Sequence, residues 1–430
     1  MPFATFVQSL VVQALSSSGS LGGHVRTMSG VNISDAAVHE RRQGLAWDFF
    51  EELNTHILRP RARRDLHPDC FYQGHRLLAV DGSWWSLRNT RANIAAAPPR
   101  HGNQKKASSA FLKWGTAVLL EVGTHQPLAA ARTLPGLARE EGELNIARRV
   151  LCAIPREEDT LLLADRLYGN GCFISDVQTA AAGRAQVLVR VPKHLKSKVI
   201  EVLSDGSALI EIKVKRKGIK GTRKLKLREV RGQVWRGPGA RDEDGNASGP
   251  SKPEKTTEVR LWTTLLDEKK HPAGELLALY SQRWEQELFF RELKRHTGRE
   301  HLVRAGTVQG AEAEYGAMII AASLLAEQRV LAAKQAGLPL SRLSIARIGR
   351  AMEALLPVLS VAGELINAPL REKIIARFMA HTAREARIPP RRTRSCQRGL
   401  RKPVCAWERI RAREYLYGPC LYAIIPVVFP

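Results

Sequence analysis

The sequence predicts an α/β fold, a mixed sheet flanked by helices, interrupted by a β-rich insertion and bracketed by helical N- and C-terminal regions. Two observations carry this. Short apolar runs, Leu77-Leu78-Ala79-Val80 and Leu161-Leu162-Leu163-Ala164, alternate with helical patterns between 71 and 191. From 192 to 266, β-branched residues instead alternate with charges (Ile210, Ile212, Val214, then Leu225, Leu227, Val230), broken by Gly218, Gly221 and Gly232. A chain of 430 residues has room for two or three such units and for a core that needs no staple. The expected boundaries are 1–70 helical, 71–191 first part of the α/β core, 192–266 basic β-rich insertion, 267–356 helical completion of the core, and 357–430 a helical and basic C-terminal region.

In chain order, Ser34 or Asp35 offers an N-cap before Val38, Leu45, Phe49, Leu53 and Ile57 at helical spacing, either a DNA-contacting head or a packing arm. The run 77–80 reads as a buried strand stopping at the turn dipeptide Asp81-Gly82. Strands are expected at 110–122 and 128–134, joined by a turn at 123–127, followed by a helix at 143–153. The run 161–164 ends at Asp165; a helix at 175–182 and a strand at 187–191 follow. Within the insertion, 238–253 is rich in Gly and Pro and reads as a loop. From Ala273 the pattern is helical to about Leu356.

Charge narrows the function classes. Lys+Arg number 67 against 42 Asp+Glu, a formal net charge of +25 that favours a polyanionic partner, nucleic acid before anionic membrane. The apolar stretch 315–326 is interrupted by Ser323 and stopped by Glu327, short of the about 20 residues of a spanning helix. No basic segment precedes the N-terminal apolar residues, so the expected location is cytoplasmic and DNA-associated, with no membrane partner. Six scattered cysteines without a C-x-x-C pair argue against a disulfide framework or zinc ribbon, and His67, Cys70 and His75 lack a second ligand pair.

A carboxylate at the tip of a buried strand is well placed to hold a cation, and Asp81 and Asp165 share that setting, although a single such Asp more often begins a turn. The segment YSQRWEQELFFRELKR places Tyr280, Arg283, Glu287 and Lys294 on one helix face, with Trp284, Leu288, Phe289 and Leu293 on the adjacent side. By itself that face also suits a solvated helix with an Arg283–Glu287 pair.

Taken together, these blocks resemble the IS-four family of bacterial insertion-sequence transposases. The Tyr-x2-Arg-x3-Glu-x6-Lys pattern (Tyr280, Arg283, Glu287, Lys294), Asp81-Gly82-Ser83 and Asp165-Arg166-x-Tyr168 occur in the family's order. The resemblance implies a ribonuclease-H-like catalytic core in which Asp81, Asp165 and Glu287 form a DDE site for two Mg²⁺ ions, with Mn²⁺ able to substitute. Hard oxygen donors with open coordination suit that ion. It further implies cleavage at the element ends and joining of the 3′-OH to target DNA, with Tyr280, Arg283 and Lys294 gripping phosphates and a homodimer in the synaptic complex. Some relatives pass through a hairpin with a base stacked on a tryptophan of the insertion, which nominates Trp262 or Trp235, although a packed core tryptophan is the commoner reading of each.

Lys213, Lys215 and Lys224 of the insertion, and Arg166 beside Asp165, complete the expected DNA contacts; Arg391 to Lys402 form a second basic stretch. The rivals are a related metal-dependent nuclease without strand transfer and a noncatalytic or decayed DNA-binding protein. The region before Asp81 is short for an end-recognising domain, and the apolar tail after Trp407 has no counterpart in the family pattern.

Overall fold

The computed structural model describes residues 1–16, 19–96, 112–137, 141–215, 221–236, 239–241, 247–250, 255–296, 302–362 and 365–389. Side chains at 234–257, 295, 296, 302, 360 and 361 are outside the description. The basic stretch 391–402 and the apolar tail therefore lie outside it, as does the Trp235 side chain.

Four helices open the chain: α1 (Phe3–Leu15), α2 (Leu21–Ser29), α3 (Asp35–Gln43) and α4 (Trp47–Ile57). Ser34 caps α3 by accepting from the Ala37 N–H. The single helix expected over 38–57 is broken at 44–46, where Leu45 N–H closes a turn on the Arg42 carbonyl. Phe6, Leu10, Val25, Val38, Trp47 and Phe50 are buried in one cluster with Tyr315, so this region packs as part of the core.

The strands β1 (Phe71–Tyr72), β2 (His75–Leu87), β3 (Leu112–Glu121), β4 (Gln126–Arg132), β5 (Thr160–Ala164) and β6 (Ala185–Arg190) form one half of a mixed sheet; α5 (Arg91–Ala96), α6 (Glu143–Val150) and α7 (Gly171–Ala180) connect them. Next come β7 (Lys198–Val202), β8 (Ala208–Val214), β9 (Arg223–Arg236), β10 (Gly239–Arg241), β11 (Ala247–Pro250) and β12 (Lys255–Thr263). The sheet order is β4-β3-β2-β5-β6-β12-β9-β8-β7, with β2, β5 and β6 parallel and the rest antiparallel to their neighbours. Strands β7, β8, β9 and β12 of the β-rich segment thus extend the same sheet beyond β6. Within 238–253, read from sequence as a loop, β10 and β11 pair as a short hairpin.

Contrary to expectation, β2 does not stop at Asp81-Gly82. It runs on to Leu87 because β3 continues to pair with it, Ser83 with Thr116 through Leu87 with Leu112. Only its parallel neighbour ends there, the last rung being Val80 with Ala164.

The chain closes with α8 (Ala273–Tyr280), a 3₁₀ turn at Ser281–Arg283, α9 (Trp284–His296), β13 (Leu302–Val303), α10 (Val308–Ala336), α11 (Ile345–Ala362) and α12 (Ala368–Glu385). Helix α10 has the length and mean hydropathy of a membrane span, yet 67% of its apolar window is buried in the fold. Its Tyr315 packs among Trp47, Trp85 and Trp114 at ring separations of 5.5 to 5.9 Å, as a core helix does. Alternation sorts the sheet into two faces: Leu78, Val80, Leu162 and Ala164 pack on α6 and α7, while Leu77, Ala79, Leu161 and Leu163 pack with Leu276 and Leu279 of α8.

Candidate active site

The last rung of the β2–β5 ladder, Val80 with Ala164, makes Asp81 and Asp165 the next residues on neighbouring strands. Each carboxylate is held by its own backbone: Asp81 accepts from Gly82 N–H at 2.9 Å, Asp165 from Arg166 N–H at 2.5 Å. Burial, then the Glu143 carboxylate, pushes the Asp81 carboxyl up to about 7, with a smaller push from Asp165. Gly82 N–H and Arg283 oppose that shift without cancelling it. A site where carboxylates press on one another in this way is a site that favours a cation.

Glu143 is the residue that sequence reasoning missed. It opens α6, and its side chain lies against the Cα of Gly82: a Cβ there would fall 2.3 Å from Glu143 Cγ. The buried Tyr168 hydroxyl donates to Glu143 Oε1 at 2.8 Å, so the tyrosine of the Asp-Arg-x-Tyr block orients this third acid. A glycine following a strand Asp is the only local signal for such an approach, and it reads equally well as a turn.

The α8–α9 segment supplies the remaining groups. Tyr280 donates from its hydroxyl to the Ala164 carbonyl at 3.2 Å, tying the end of α8 to the residue before Asp165. Arg283 Nη2 donates to Glu287 Oε1 at 2.6 Å, and its charge acts on both Asp81 and Asp165. Leu288, Phe289 and Leu293 are buried behind this face. The Lys294 ammonium lies 5.2 Å from the centre of the Trp85 ring. Burial and then Lys113 bring its pKa down to about 8, with Asp81 acting against the fall.

Asp81, Asp165, Tyr280, Arg283 and Lys294 therefore lie within one electrostatic neighbourhood, and Glu287 joins it through Arg283. Among the described residues, no three His, Cys, Asp or Glu side chains stand close enough to share one ion as placed. The donor set nonetheless fits a hard divalent cation: carboxylate oxygens of Asp81 within β2 and of Asp165 just past β5, the first of them raised by its neighbours, with a helix carboxylate held by a guanidinium. Cys70 does not fit a metal, because burial pushes its thiol up to about 12.

Residues 72–324 match the transposase DDE domain family. The chain belongs to that family. The matched span contains Asp81, Asp165, Glu143 and the whole of α9. A relative from Escherichia coli (strain K12), the transposase InsG for insertion sequence element IS4, is 25% identical over 299 residues, 69% of this chain. The chain spans 62% of that relative's length.

Other expected DNA contacts of this DDE-domain chain fall elsewhere on the sheet. Arg166 is exposed beside Asp165. Lys213 and Lys224 are directly paired across β8 and β9, both exposed, and Lys224 meets Glu211 at 3.2 Å. Lys215, just past β8, is exposed as well. Trp262 is packed in the core. It is 2% exposed on the α6–α7 face, with its indole N–H donated to Glu229 at 2.9 Å and Arg260 over its ring. It is paired with Val189 of β6 and Glu229 of β9.

Proposed function

We propose that this protein is an insertion-sequence DNA transposase that cuts DNA at the element ends and joins the 3′-OH to target DNA, with Asp81, Asp165 and Glu287 as the metal-binding carboxylates of a ribonuclease-H-like core. The single observation that carries the reading is the Val80–Ala164 rung that makes Asp81 and Asp165 the next residues on neighbouring segments, with Arg283 acting on both and bonded to Glu287, inside a span matching the transposase DDE domain. Two Mg²⁺ ions, when bound, would supply charge stabilisation to the attacking and leaving oxygens of an in-line displacement at phosphorus.

The chain's own residues do the rest. Asp81, within β2, and Asp165, just past the end of β5, have backbone hydrogen bonds that fix each carboxylate, so the acids are presented with little reorganisation. Arg283 presents donors along the edge where a terminal phosphate would lie, and the Tyr280 hydroxyl would join it on leaving the Ala164 carbonyl to which it now donates. Arg283 is at present on Glu287, so a phosphate arriving there competes with that carboxylate. Lys294, at the opposite end of the same helix face, adds a point charge.

Residues on alternate positions of β9 share the α8 face with Val230, among them Lys224 and Lys226; Lys213 pairs with Lys224. Like charges set directly across a ladder repel, and a polyanion relieves that cost. This supports DNA along the insertion, and the family's mode of action makes a homodimer bridging two ends the expected assembly.

The test is a labelled duplex from the gene's own flanks, incubated with the protein and Mg²⁺ beside Asp81→Asn. Cuts at inverted-repeat ends with joined products, absent in the variant, are expected. Cutting without joining would make it a nuclease, and binding without cutting a noncatalytic DNA-binding protein.

A further inference from the structure

Helix α9 is fastened to the sheet from behind. His125 sits in the β3–β4 turn, 1% exposed, with Nδ1 2.6 Å from Glu292 Oε2 and Nε2 2.8 Å from Glu285 Oε2. Those glutamates are seven residues apart, two turns of one helix face, and Glu287 lies off that face. His125 holds φ at +60°, a left-handed conformation that a branched-ring residue adopts only where its surroundings demand it.

The turn is itself anchored. Thr124 Oγ1 donates to Glu121 Oε2 at 2.5 Å, and the same carboxylate accepts from the backbone N–H groups of Arg61 and Ala62 and pairs with Arg76. A second tie is made one residue before Glu287: Gln286 Nε2 donates at 3.3 Å to the carbonyl of Val118, which is the residue paired with Asp81 across β2 and β3. Both ties run from the sheet rung that bears Asp81, or from the turn ending its partner strand, to the helix that bears Glu287.

We infer that His125 is a positioning residue: by holding Glu285 and Glu292 together on an anchored turn, its imidazolium sets the rotation of α9 and so the aim of Glu287 at Asp81 and Asp165. Two hydrogen-bonding nitrogens on opposite edges of one rigid ring are needed for this, whereas an amide carries both its N–H donors on one nitrogen and a hydroxyl has only one. The inference rests on the reading of Glu287 as a site carboxylate.

The test uses full-length protein in four forms: wild type, His125→Gly, His125→Asn and Asp81→Asn. Glycine and asparagine both accept the positive φ, and glycine leaves room for added imidazole. Three readouts are taken: Tb³⁺ luminescence titration, affinity for labelled terminal duplex, and single-turnover Mg²⁺-dependent cleavage at saturating DNA. His125→Gly is expected to cut about 10²-fold more slowly, the scale of a misplaced reacting group, with unchanged DNA affinity and a raised Tb³⁺ half-saturation. Imidazole should restore both rate and metal affinity to His125→Gly and neither to His125→Asn.

Cleavage and Tb³⁺ binding at wild-type level in His125→Gly would overturn the inference, as would a defect that imidazole does not relieve. Should that variant not fold, Glu285→Gln/Glu292→Gln carries the same test, and wild-type cleavage and Tb³⁺ binding there would overturn it. Wild-type protein that neither binds Tb³⁺ in an Asp81-dependent way nor cuts DNA would remove the transposase reading itself.

Discussion

Arg283 donates to the Glu287 carboxylate at 2.6 Å, one helical turn apart, with the arginine 16% and the glutamate 39% exposed. The pair joins a residue expected to grip phosphate to one expected to hold metal, so the two functions are coupled through one hydrogen bond. Removing Arg283 should release Glu287 while deleting a DNA contact. Arg283→Ala is expected to raise Tb³⁺ affinity in DNA-free protein and to weaken terminal-duplex binding, with a salt slope smaller by about 1. Fluorescence anisotropy across a salt series measures the second effect. An unchanged slope would leave Arg283 as a packing residue only.

Glu287→Gln isolates the carboxylate charge. Glutamine keeps an acceptor for Arg283 and the length of the side chain, so the helix face should stay intact. Cleavage should fall below detection while duplex affinity stays within about twofold, since the phosphate-facing cations remain. A parallel loss of binding, read on the same labelled duplex, would count against a metal-holding role.

Gly82 and Glu143 test the acid that the sequence hid. A methyl at Gly82 would overlap Glu143 Cγ and Cδ at 2.3 and 2.4 Å, so Gly82→Ala must push Glu143 aside or shift α6. A loss of about 1–3 kcal/mol in denaturant unfolding is expected, the range for overpacking. Adding Glu143→Ala in the same chain should recover most of it. A double variant no more stable than Gly82→Ala would place the strain elsewhere.

These positions also show what could be read from the chain. Asp81, Asp165 and the face of α9 were legible because each depends on local order: an apolar run, an acid at its end, a period of 3.6. The extension of β2 past Asp81 was not, because Asp-Gly is a turn signal unless a partner strand continues to pair, and β3 lies some thirty-five residues on. Glu143 escaped for the same reason, since only the packing of α6 over Gly82 brings it to Asp81. The burial of Trp262 could not be read outright, because alternation in β12 tells which residues share a face and not which face is covered. Conversely, the break at Ser281–Arg283 splits a helix that the period alone joins, yet Tyr280 and Arg283 both still reach the site.

The basic face of the insertion predicts how binding responds to salt. Lys213 and Lys224 are opposed across the ladder, and Glu211, which meets Lys224, is also paired with Lys226. Lys213→Gln/Lys224→Gln should therefore cost little stability and should lower affinity for any duplex, with the salt slope smaller by about 2. Equal losses on terminal and unrelated DNA are expected, because phosphate contacts carry no sequence information. A loss confined to the terminal sequence would assign these lysines to base readout.

His125 gives a pH dependence whose sign follows from its surroundings. Burial disfavours its charge and Arg329 opposes it too, but Glu292 and the hydrogen bonds to Glu285 and Glu292 outweigh both and hold its pKa above the ordinary value. A histidine raised in the folded state contributes stability that is fully present below its unfolded pKa of about 6.5. That contribution is lost as pH rises through the folded pKa, where the ring gives up the proton shared with a glutamate. The Tm difference between wild type and His125→Gln should therefore be largest in mildly acidic buffer and should narrow as the pH is raised. A difference that widens with pH would mean that the ring is neutral in the fold, and that Glu285 or Glu292 carries the proton between them.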